Sequence, residues 1–368
     1  MPYSLTVKKT EGKPGQVYYP LQLNTVPVPT PGPNQVLVKL VAAALNHRDL
    51  FIRQHLYPGI SFTNPLFADG YGIITTVGAS CSAATKELLN KPVLLLPHRG
   101  WASDPDGPEN LGRDFVILGA SRGTDAGTGQ EYIAVDENDV VPAPGHLTPA
   151  EGAALPLVGL TGWRALVSKG GGNAEPGRNI LVTGIGGGVA LQVLQFAVAR
   201  GCNVWVTSGD RRKIERATAA ELGARGGVCY KDADWDKQLG ALLPAERPYL
   251  DAVIDGAGGD VVGRTVKLLK PGGVIVSYGM TVGPKMDWLM QATLKHIDLR
   301  GSTMGSTREF KEMVEFVRAH KIRPVVSRVV KGLDNLEGIE SLFDDMKEGR
   351  QFGKLVIQIS DDDSSPKL

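Results

Sequence analysis

Short apolar segments rich in β-branched residues alternate with amphipathic segments through the middle of the chain. In the segment 189–200, apolar residues such as Leu191, Leu194 and Ala197 recur at helical spacing, which predicts a helix with one apolar face. The predicted strands are 179–185, 203–209, 226–230, 250–257, 272–279 and, as a sixth, 297–305. Regular strand–helix alternation is typical of a doubly wound parallel sheet with helices on both faces.

The first 150 residues have a different pattern. Their strand-like segments are separated by loops rich in Pro, Gly and Asn, and they lie at 36–45, 72–79, 92–97 and 131–141. This part is therefore predicted to be a mostly-β domain.

The chain after the alternating region contains one clear helical pattern, 307–321, and one last strand, 353–359. These two elements are too few to form a domain alone, so we expect them to return to the mostly-β domain. The predicted fold class is α/β, with a mostly-β domain at 1–150, a doubly wound domain at 151–298 and a returning segment at 299–368. The acidic tail 361–368 is predicted to be disordered.

Composition narrows the functional class. The net charge of +1 gives no global reason to expect binding to nucleic acid or to an anionic membrane, and no apolar run is long enough to span a membrane. The N-terminal residues lack the apolar core of a secretory signal. Three widely separated cysteines argue against a disulfide framework. We therefore expect a cytoplasmic protein, with the Pro-Lys-Leu ending as a peroxisomal alternative.

The string VTGIGGGVA, residues 182–190, lies where the first predicted strand of the alternating region leads into its first helix. In that context a glycine-rich loop predicts a dinucleotide site, because glycines permit the tight turn and let backbone amides approach a pyrophosphate. The predicted contacts are Gly184, Gly186, Gly187, Gly188 and Val189. The alternative is a glycine-rich turn that binds nothing.

The end of the second strand indicates which dinucleotide. An acidic residue there is typical of NAD, but Ser208 and Gly209 occupy this point, followed by Asp210. Three cations then open the next helix, where the helix dipole disfavours positive charge. A 2′-phosphate would reverse that penalty, so the pattern favours NADP(H) over NAD(H), with contacts from Ser208, Arg211, Arg212 and Lys213. In the alternative, Asp210 caps the helix and the cations are solvated.

Several motifs in order resemble the medium-chain dehydrogenase/reductase superfamily over nearly the whole chain. They are VAAALNHRDL, ADGYGIITTVG, LPLVGLTGWRAL, VTGIGGGVA, LLKPGGVIVSYG and RGSTMGS. The resemblance implies a GroES-like catalytic domain, a Rossmann cofactor domain and an active site in the cleft between them.

Many members of that superfamily bind a catalytic zinc ion. The resemblance carries their three ligand positions onto Asn46, Ala68 and the vicinity of Leu157. Asparagine is a poor zinc ligand, and alanine and leucine side chains cannot coordinate metal. We therefore predict no metal site, and the chain resembles the zinc-free branch of quinone oxidoreductases and enoyl reductases.

In that branch a segment Asn-x-x-Asp followed by a tyrosine lines the nicotinamide pocket, and here it corresponds to Asn46, Asp49 and Tyr57. The resemblance implies that Tyr57 protonates the substrate and that Asn46 binds the nicotinamide ribose or the substrate oxygen. Alternatively, Tyr57 only shapes the pocket and solvent supplies the proton. Asp49 and Arg53 are expected to pair with each other or with backbone amides. His55 stands where relatives usually have glycine.

The same resemblance implies further contacts and a subunit interface. The additional cofactor contacts are Thr161, Gly256, Gly279, Met280, Thr281, Phe352 and Lys354. In this superfamily the strand that contains GSTMG, within 297–305, is an edge that often pairs two subunits, which predicts a homodimer. Trp101, in the loop 98–114, is expected to be either a substrate platform or an exposed anchor.

These features predict a zinc-independent, NADPH-dependent oxidoreductase with a small-molecule substrate. It would transfer hydride to an activated C=C bond, as in an enone or enoyl thioester, or to a quinone. The alternatives are a metal-free alcohol or carbonyl oxidoreductase and an NADPH-binding protein without turnover.

Overall fold

The computed structural model describes residues 1–360, so the predicted acidic tail lies outside the described residues. The chain forms two compact units. Unit 1 comprises residues 1–157 together with the segment from Ser306 onward, and unit 2 comprises Val158–Gly305. Unit 1 is therefore discontinuous in sequence.

Unit 1 contains eleven of the strands and five of the α-helices that the structure describes. The strands are β1 (Tyr3–Val7), β2 (Leu21–Thr25), β3 (Gln35–Ala44), β4 (Asp69–Val77), β5 (Pro92–Leu95), β6 (His98–Arg99), β7 (Val116–Ile117), β8 (Tyr132–Asp136), β9 (Val140–Pro142), β18 (Val326–Lys331) and β19 (Lys354–Gln358). The helices are α1 (His47–Arg53), α2 (Ala83–Lys86), α3 (Pro149–Ala153), α10 (Thr307–His320) and α11 (Leu336–Lys347).

The main sheet of unit 1 runs β18-β19-β3-β4-β5-β9, and β8 also pairs with β3. The strand β19, close to the end of the chain, pairs antiparallel with β3, so the last segment of the chain completes the sheet of the first. Two apolar cores cover this sheet. One packs β19 and α11 against α1, and the other packs β3, β4, β5 and β8 together.

Unit 2 alternates strands with helices. The strands are β10 (Asn179–Val182), β11 (Asn203–Ser208), β12 (Gly226–Cys229), β13 (Leu250–Asp255), β14 (Gly258–Gly259), β15 (Leu269–Ser277), β16 (Gly283–Met286) and β17 (Asp298–Gly301). The helix α4 (Pro156–Trp163) leads into the unit and continues as a π-helix, Arg164–Lys169. The remaining helices are α5 (Gly188–Ala199), α6 (Arg211–Thr218), α7 (Trp235–Leu242), α8 (Val261–Thr265) and α9 (Met290–Leu294).

Six strands of unit 2 form one parallel sheet in the order β12-β11-β10-β13-β15-β17. The sequence order reverses next to β10, so the switch point lies where β10 meets β11 and β13. This parallel sheet and the mostly-β unit 1 confirm the predicted α/β fold class. Among residues 1–360, no helix combines the length and apolarity needed to cross a membrane.

Some predicted boundaries differ from the observed ones. The boundary predicted at 150/151 cuts α3, which packs on β3 and β4 of unit 1. The boundary at 298/299 cuts β17, which pairs with β15 in the parallel sheet of unit 2. The helix α6 ends at Thr218, because Ala219 has an extended backbone. In each case a contact or dihedral angle invisible in the apolar pattern sets the boundary.

Candidate active site

The glycine-rich loop of unit 2 joins β10 to α5 at the switch point of the parallel sheet. Gly184 and Gly186 have φ values of 65° and 120°, a region that residues with a Cβ rarely adopt. Gly187 is the N-cap of α5, which begins at Gly188. The first N–H groups of the helix therefore lack acceptors within it, which suits a pyrophosphate. The predicted loop residues have the local geometry of a phosphate site.

Lys213 adds a positive charge to this loop. A Cβ built on Gly186 would lie 2.8 Å from Lys213 Cδ and 3.2 Å from its Nζ, so the amine lies over the loop backbone. Partial burial lowers the pKa of the Lys213 amine, and Asp210 opposes that shift. The side chain reaches back from the first turn of α6, so β10–α5 and β11–α6 both contribute to one cationic site.

The other predicted residues at the end of β11 have different roles. Ser208 is buried, and its hydroxyl accepts a 3.2 Å hydrogen bond from the Asp210 N–H. Asp210 caps α6 by accepting a 2.9 Å bond from the Arg212 N–H, as the alternative interpretation expected. The Arg212 guanidinium also contacts Asp210, but its side chain is 85% exposed and can reorient toward a ligand.

Arg211 is engaged elsewhere. Both oxygens of Asp232 accept hydrogen bonds from its Nη2, at 2.8 and 3.1 Å. The prediction that Arg211 contacts the cofactor is therefore not supported by its position, since the exposed pair would have to break. Sequence reasoning missed Tyr230, whose hydroxyl lies 2.5 Å from a Cβ built on Gly209, at the end of β11. An aromatic residue ending the next strand was the available signal.

Asp255 organises the edge of the sheet beside the glycine loop. Its Oδ1 accepts a 2.6 Å hydrogen bond from the Thr183 hydroxyl and a 3.1 Å bond from the Ala257 N–H. Its Oδ2 accepts a 2.9 Å bond from the Gly258 N–H. Burial raises the pKa of Asp255, and these hydrogen bonds oppose the shift. The carboxylate thereby ties the β10 loop to the β13 loop, a role that its place in the sequence did not indicate.

The remaining predicted contacts of unit 2 lie on the β13 and β15 loops and on α4. Gly256 packs against the Tyr278 ring, since a Cβ there would lie 2.5 Å from that ring. Its carbonyl accepts bonds from the Thr281 N–H and hydroxyl, both at 3.3 Å. Met280 is exposed, next to Gly279. Thr161 is buried, and its hydroxyl lies 3.7 Å from Met304 Sδ.

In unit 1, Asn46 is the N-cap of α1 and is held at both its backbone and its side chain. Its N–H donates a 2.7 Å hydrogen bond to Asp49 Oδ2. Its side-chain Nδ2 donates a 2.9 Å bond to Asp69 Oδ2. Asp49 is fully buried, which raises its pKa to about 6, and the Arg48 guanidinium opposes the shift. Asp49 therefore caps a helix and does not pair with Arg53.

Lys354, on β19, completes the same cluster. Its Nζ donates to the Leu45 carbonyl and Asn46 Oδ1, both at 2.7 Å, and to Asp69 Oδ2 at 2.8 Å. The prediction that Lys354 contacts the cofactor directly is therefore wrong, because these three acceptors use all three N–H groups of its ammonium. Phe352 is buried, and its N–H donates to the Ser327 hydroxyl at 3.2 Å.

The residues in unit 1 do not fit a zinc ion. At the positions that the resemblance assigns to ligands stand Asn46, Ala68 and Leu157, and the Leu157 N–H donates a 2.7 Å hydrogen bond to Asp69 Oδ1. The carboxylate of Asp49 already accepts from the Asn46 N–H, and that of Asp69 already accepts from the Lys354 ammonium, which would repel a second cation. Within residues 1–360, no group of three or more His, Cys, Asp or Glu side chains is arranged to hold a metal.

Tyr57 lies on a buried arginine. The Arg48 guanidinium carbon is 4.7 Å from the centre of the Tyr57 ring. Arg48 donates from Nη1 to the Leu118 carbonyl at 2.6 Å and from Nη2 to the Ser121 hydroxyl at 2.9 Å. Tyr57 itself is half-buried, while His47 at the start of α1 is exposed. The Tyr57 ring therefore makes a cation–π contact with a guanidinium that is fixed by its own hydrogen bonds.

Arg53 is a structural residue. Its buried guanidinium forms a two-pronged ion pair with Glu340 of α11, and its Nε donates to the Tyr19 carbonyl at 2.9 Å. The Tyr18 and Phe343 rings pack on it at 4.1 and 4.5 Å. The expected pairing of Arg53 with Asp49 is wrong, because α11 supplies a carboxylate from a distant part of the sequence. The alternative, pairing with a backbone amide, is confirmed for Asp49, which accepts from the Asn46 N–H.

The backbone conformation at His55 explains why relatives have glycine at this position. Its φ of 55° places it in the left-handed region, which costs a residue with a Cβ about 1 kcal/mol. Its Nδ1 forms a 2.7 Å hydrogen bond with the Tyr19 hydroxyl, which contributes a similar amount. The Nδ1 atom of the His55 imidazole is therefore engaged in a hydrogen bond with Tyr19.

The loop 98–114 is anchored by a buried tryptophan. Trp101 is 4% exposed, packs edge-on against Phe115, and donates from Nε1 to the Asp104 carbonyl at 2.8 Å. Glu109 accepts three backbone N–H bonds, which lower its pKa to about 2. Both expectations for Trp101 are wrong, since the ring holds the loop in place from inside.

Comparisons with known proteins agree with this architecture. A zinc-binding dehydrogenase family model matches residues 188–319, and an alcohol dehydrogenase GroES-like domain model matches residues 32–145. A zinc-type alcohol dehydrogenase-like protein YogA from Leptosphaeria maculans is 60% identical over 361 residues, 98% of this chain and 100% of that protein.

Two further relatives differ in their described activity. An acryloyl-coenzyme A reductase from Sulfurisphaera tokodaii is 28% identical over 349 residues, 92% of this chain and 96% of that protein. A crystal structure of an NAD-dependent alcohol dehydrogenase superposes with a TM-score of 0.81 at 31% identity, covering 98% of this chain and 100% of that one. The chain therefore belongs to the medium-chain dehydrogenase/reductase superfamily.

Proposed function

We propose that this protein is a zinc-independent, NADPH-dependent reductase of activated C=C bonds, such as those of enones or enoyl thioesters. Family membership supports an NAD(P)-dependent oxidoreductase. The observation that carries the finer proposal is the Asn46–Asp69–Lys354 cluster, because it includes Asn46 and lies next to Ala68, two positions that the resemblance assigns to zinc ligands. The similarity to an acryloyl-coenzyme A reductase supports the same class of reaction.

NADPH is proposed as the cofactor because of the charge at the end of β11. Lys213 and the exposed Arg212 supply cations, and Ser208 stands where NAD-preferring domains place an acidic residue. When bound, the nicotinamide supplies the hydride. The glycine loop holds the pyrophosphate of NADPH and Lys213 holds its 2′-phosphate, so that binding energy positions the reacting carbon.

In this proposal the two polar groups of unit 1 act on the substrate. Hydride addition to the β-carbon places negative charge on the carbonyl oxygen, and the second N–H of the Asn46 side-chain amide stabilises that charge. The Tyr57 phenol then delivers a proton to the α-carbon. Arg48 keeps the Tyr57 ring in place through its contact at 4.7 Å.

The test follows NADPH absorbance in buffer containing a metal chelator, with enones, enoyl thioesters, quinones and aldehydes as acceptors. We expect turnover with enones or enoyl thioesters that the chelator does not change. Tyr57→Phe retains the ring on Arg48 and should lower kcat for these acceptors by about a hundredfold. Quinone turnover is the internal control, since it needs no carbon protonation and should not change.

Other outcomes would contradict the proposal. Turnover with aldehydes or alcohols alone would favour a metal-free alcohol oxidoreductase, the class suggested by the similarity to an NAD-dependent alcohol dehydrogenase. NADPH binding without oxidation of any acceptor would indicate a protein that binds the cofactor without turnover. A full rate in Tyr57→Phe would assign proton delivery to solvent.

We also propose that the protein is a homodimer that pairs through β17. This strand is at the edge of the parallel sheet, and exposed apolar side chains lie in and before it, including Met290, Leu294 and Leu299. Light scattering should give about twice the chain mass of 39.2 kDa. Leu299→Asp should shift the protein to monomer, whereas Leu242→Asp, on the exposed surface of α7, should not. A monomeric parent chain would refute this assembly.

A further inference from the structure

The cluster around Lys354 places one ammonium among three oxygen acceptors inside unit 1. Lys354 is 4% exposed, Asp69 is fully buried and Asn46 is 6% exposed. Burying an ammonium and a carboxylate is costly unless both are paired and hydrogen-bonded. Here every N–H of the ammonium has an acceptor, at 2.7, 2.7 and 2.8 Å, so the cation is fully coordinated by the chain itself.

This arrangement determines which end of the Asn46 carboxamide is a donor. Oδ1 faces the Lys354 ammonium at 2.7 Å, and Nδ2 faces the Asp69 carboxylate at 2.9 Å. Turning the amide over would set an N–H against an ammonium and a carbonyl oxygen against a carboxylate. Two repulsive contacts would replace two charge-assisted hydrogen bonds, so only one orientation is stable.

The second N–H group of the Asn46 carboxamide is the donor that the site can offer to a substrate. Nδ2 carries two N–H groups, and Asp69 is the acceptor for one of them. The other N–H is a donor whose polarity is set by the neighbouring charges. A developing oxyanion requires such a donor, whereas an amide free to turn would present its oxygen part of the time.

We propose that the Lys354 ammonium is the resident cation of this site, bound to Asn46 and to Asp69, which follows Ala68; the resemblance assigns Asn46 and Ala68 to zinc-ligand positions. Together with Asp69 it holds the Asn46 carboxamide as a hydrogen-bond donor toward the substrate. Lys354 and Asp69 are thus positioning residues that act through Asn46. The role toward substrate rests on the proposed reductase function, but the cation site itself does not.

The decisive variant neutralises both charges together. In the double substitution Lys354→Met and Asp69→Asn, neither partner is left as an unpaired buried charge, so the fold should persist. We expect a melting temperature close to that of the parent chain and unchanged NADPH affinity, with kcat for an enone reduced by about a hundredfold. A double variant that retains at least half of the parent kcat would overturn the proposal.

A second measurement keeps the test valid if the double variant does not fold. Lys354→Ala removes three carbons and the ammonium, which propylammonium can replace. We expect propylammonium to raise both the melting temperature and kcat of Lys354→Ala, while sodium at equal ionic strength does neither. Lys295→Ala is the matched control, because the Lys295 ammonium also donates to backbone carbonyls but belongs to unit 2. Its kcat should not respond.

The outcomes separate the two proposals. Propylammonium that restores the melting temperature of Lys354→Ala but not kcat would make Lys354 purely structural and overturn the positioning role. No thermal response would overturn the cation site. If the parent chain itself reduces no acceptor, the proposed function fails, and the thermal response to propylammonium alone then decides whether the site holds a cation.

Discussion

Arg53→Ala is expected to lower the free energy of unfolding by about 3 kcal/mol, a large effect for a single substitution. The guanidinium is 1% exposed, whereas its partner Glu340 is 43% exposed. Truncation therefore removes the packing between Tyr18 and Phe343 and leaves the Tyr19 carbonyl without its donor, while Glu340 becomes hydrated. Most of the loss comes from packing and the orphaned carbonyl.

Urea unfolding followed by circular dichroism would measure this change. Arg53→Lys should recover only part of the loss, because an ammonium cannot form the two-pronged contact with Glu340. Arg212→Ala is the control for removing an arginine as such; its side chain is 85% exposed, and we expect less than about 0.5 kcal/mol. A loss below about 1 kcal/mol in Arg53→Ala would show that α11 is not held to α1 by this contact.

Lys213→Ala is expected to raise the dissociation constant for NADPH by about tenfold to a hundredfold, and that for NADH by much less. The reason is the loss of one charge-assisted contact with the 2′-phosphate, which is worth about 1.5–3 kcal/mol. The amine lies beside Gly186 and begins from the first turn of α6, close to Ser208. Titration of the nicotinamide fluorescence measures both constants without any knowledge of the substrate.

Arg211→Ala is the matched control for Lys213. It removes a neighbouring cation from the same helix, but one that already pairs with Asp232 at 2.8 Å, so the affinity for NADPH should change by less than about threefold. If Lys213→Ala weakens NADPH and NADH equally, Lys213 binds the pyrophosphate. In that case the preference for NADPH would have to come from Arg212 or be absent.

Much of the fold and the cofactor loop was predictable from the sequence because the relevant signals are local. The alternation of apolar segments predicted the six-stranded parallel sheet, and VTGIGGGVA predicted the turn in which Gly184 and Gly186 adopt positive φ values. The sequence also indicated, as an alternative to a role in cofactor binding, that Asp210 caps the helix α6. Each of these features depends on residues within a few positions of one another.

The decisive contacts of unit 1 were not predictable, because they join distant parts of the chain. Lys354 pairs with Asp69, which is 285 residues away in the sequence, and Arg53 pairs with Glu340, which is 287 residues away. The resemblance placed Asn46, Tyr57 and Lys354 at the site, but it made Lys354 a cofactor contact and not a partner of Asn46 and Asp69. The choice between local and distant partners for a buried charge depends on packing, which a single sequence does not reveal.

The discontinuity of unit 1 has a consequence for biosynthesis. Its sheet contains β3 near the start of the chain and β19 near its end, so the nascent polypeptide must hold an incomplete sheet until the ribosome has passed Gln358. Unit 2 is contiguous and has all its strands available much earlier. A nascent chain stalled before β19 would expose the apolar edge of β3 and would lack the ammonium that neutralises Asp69. We expect such an intermediate to bind chaperones, because exposed strand edges and apolar surface favour aggregation.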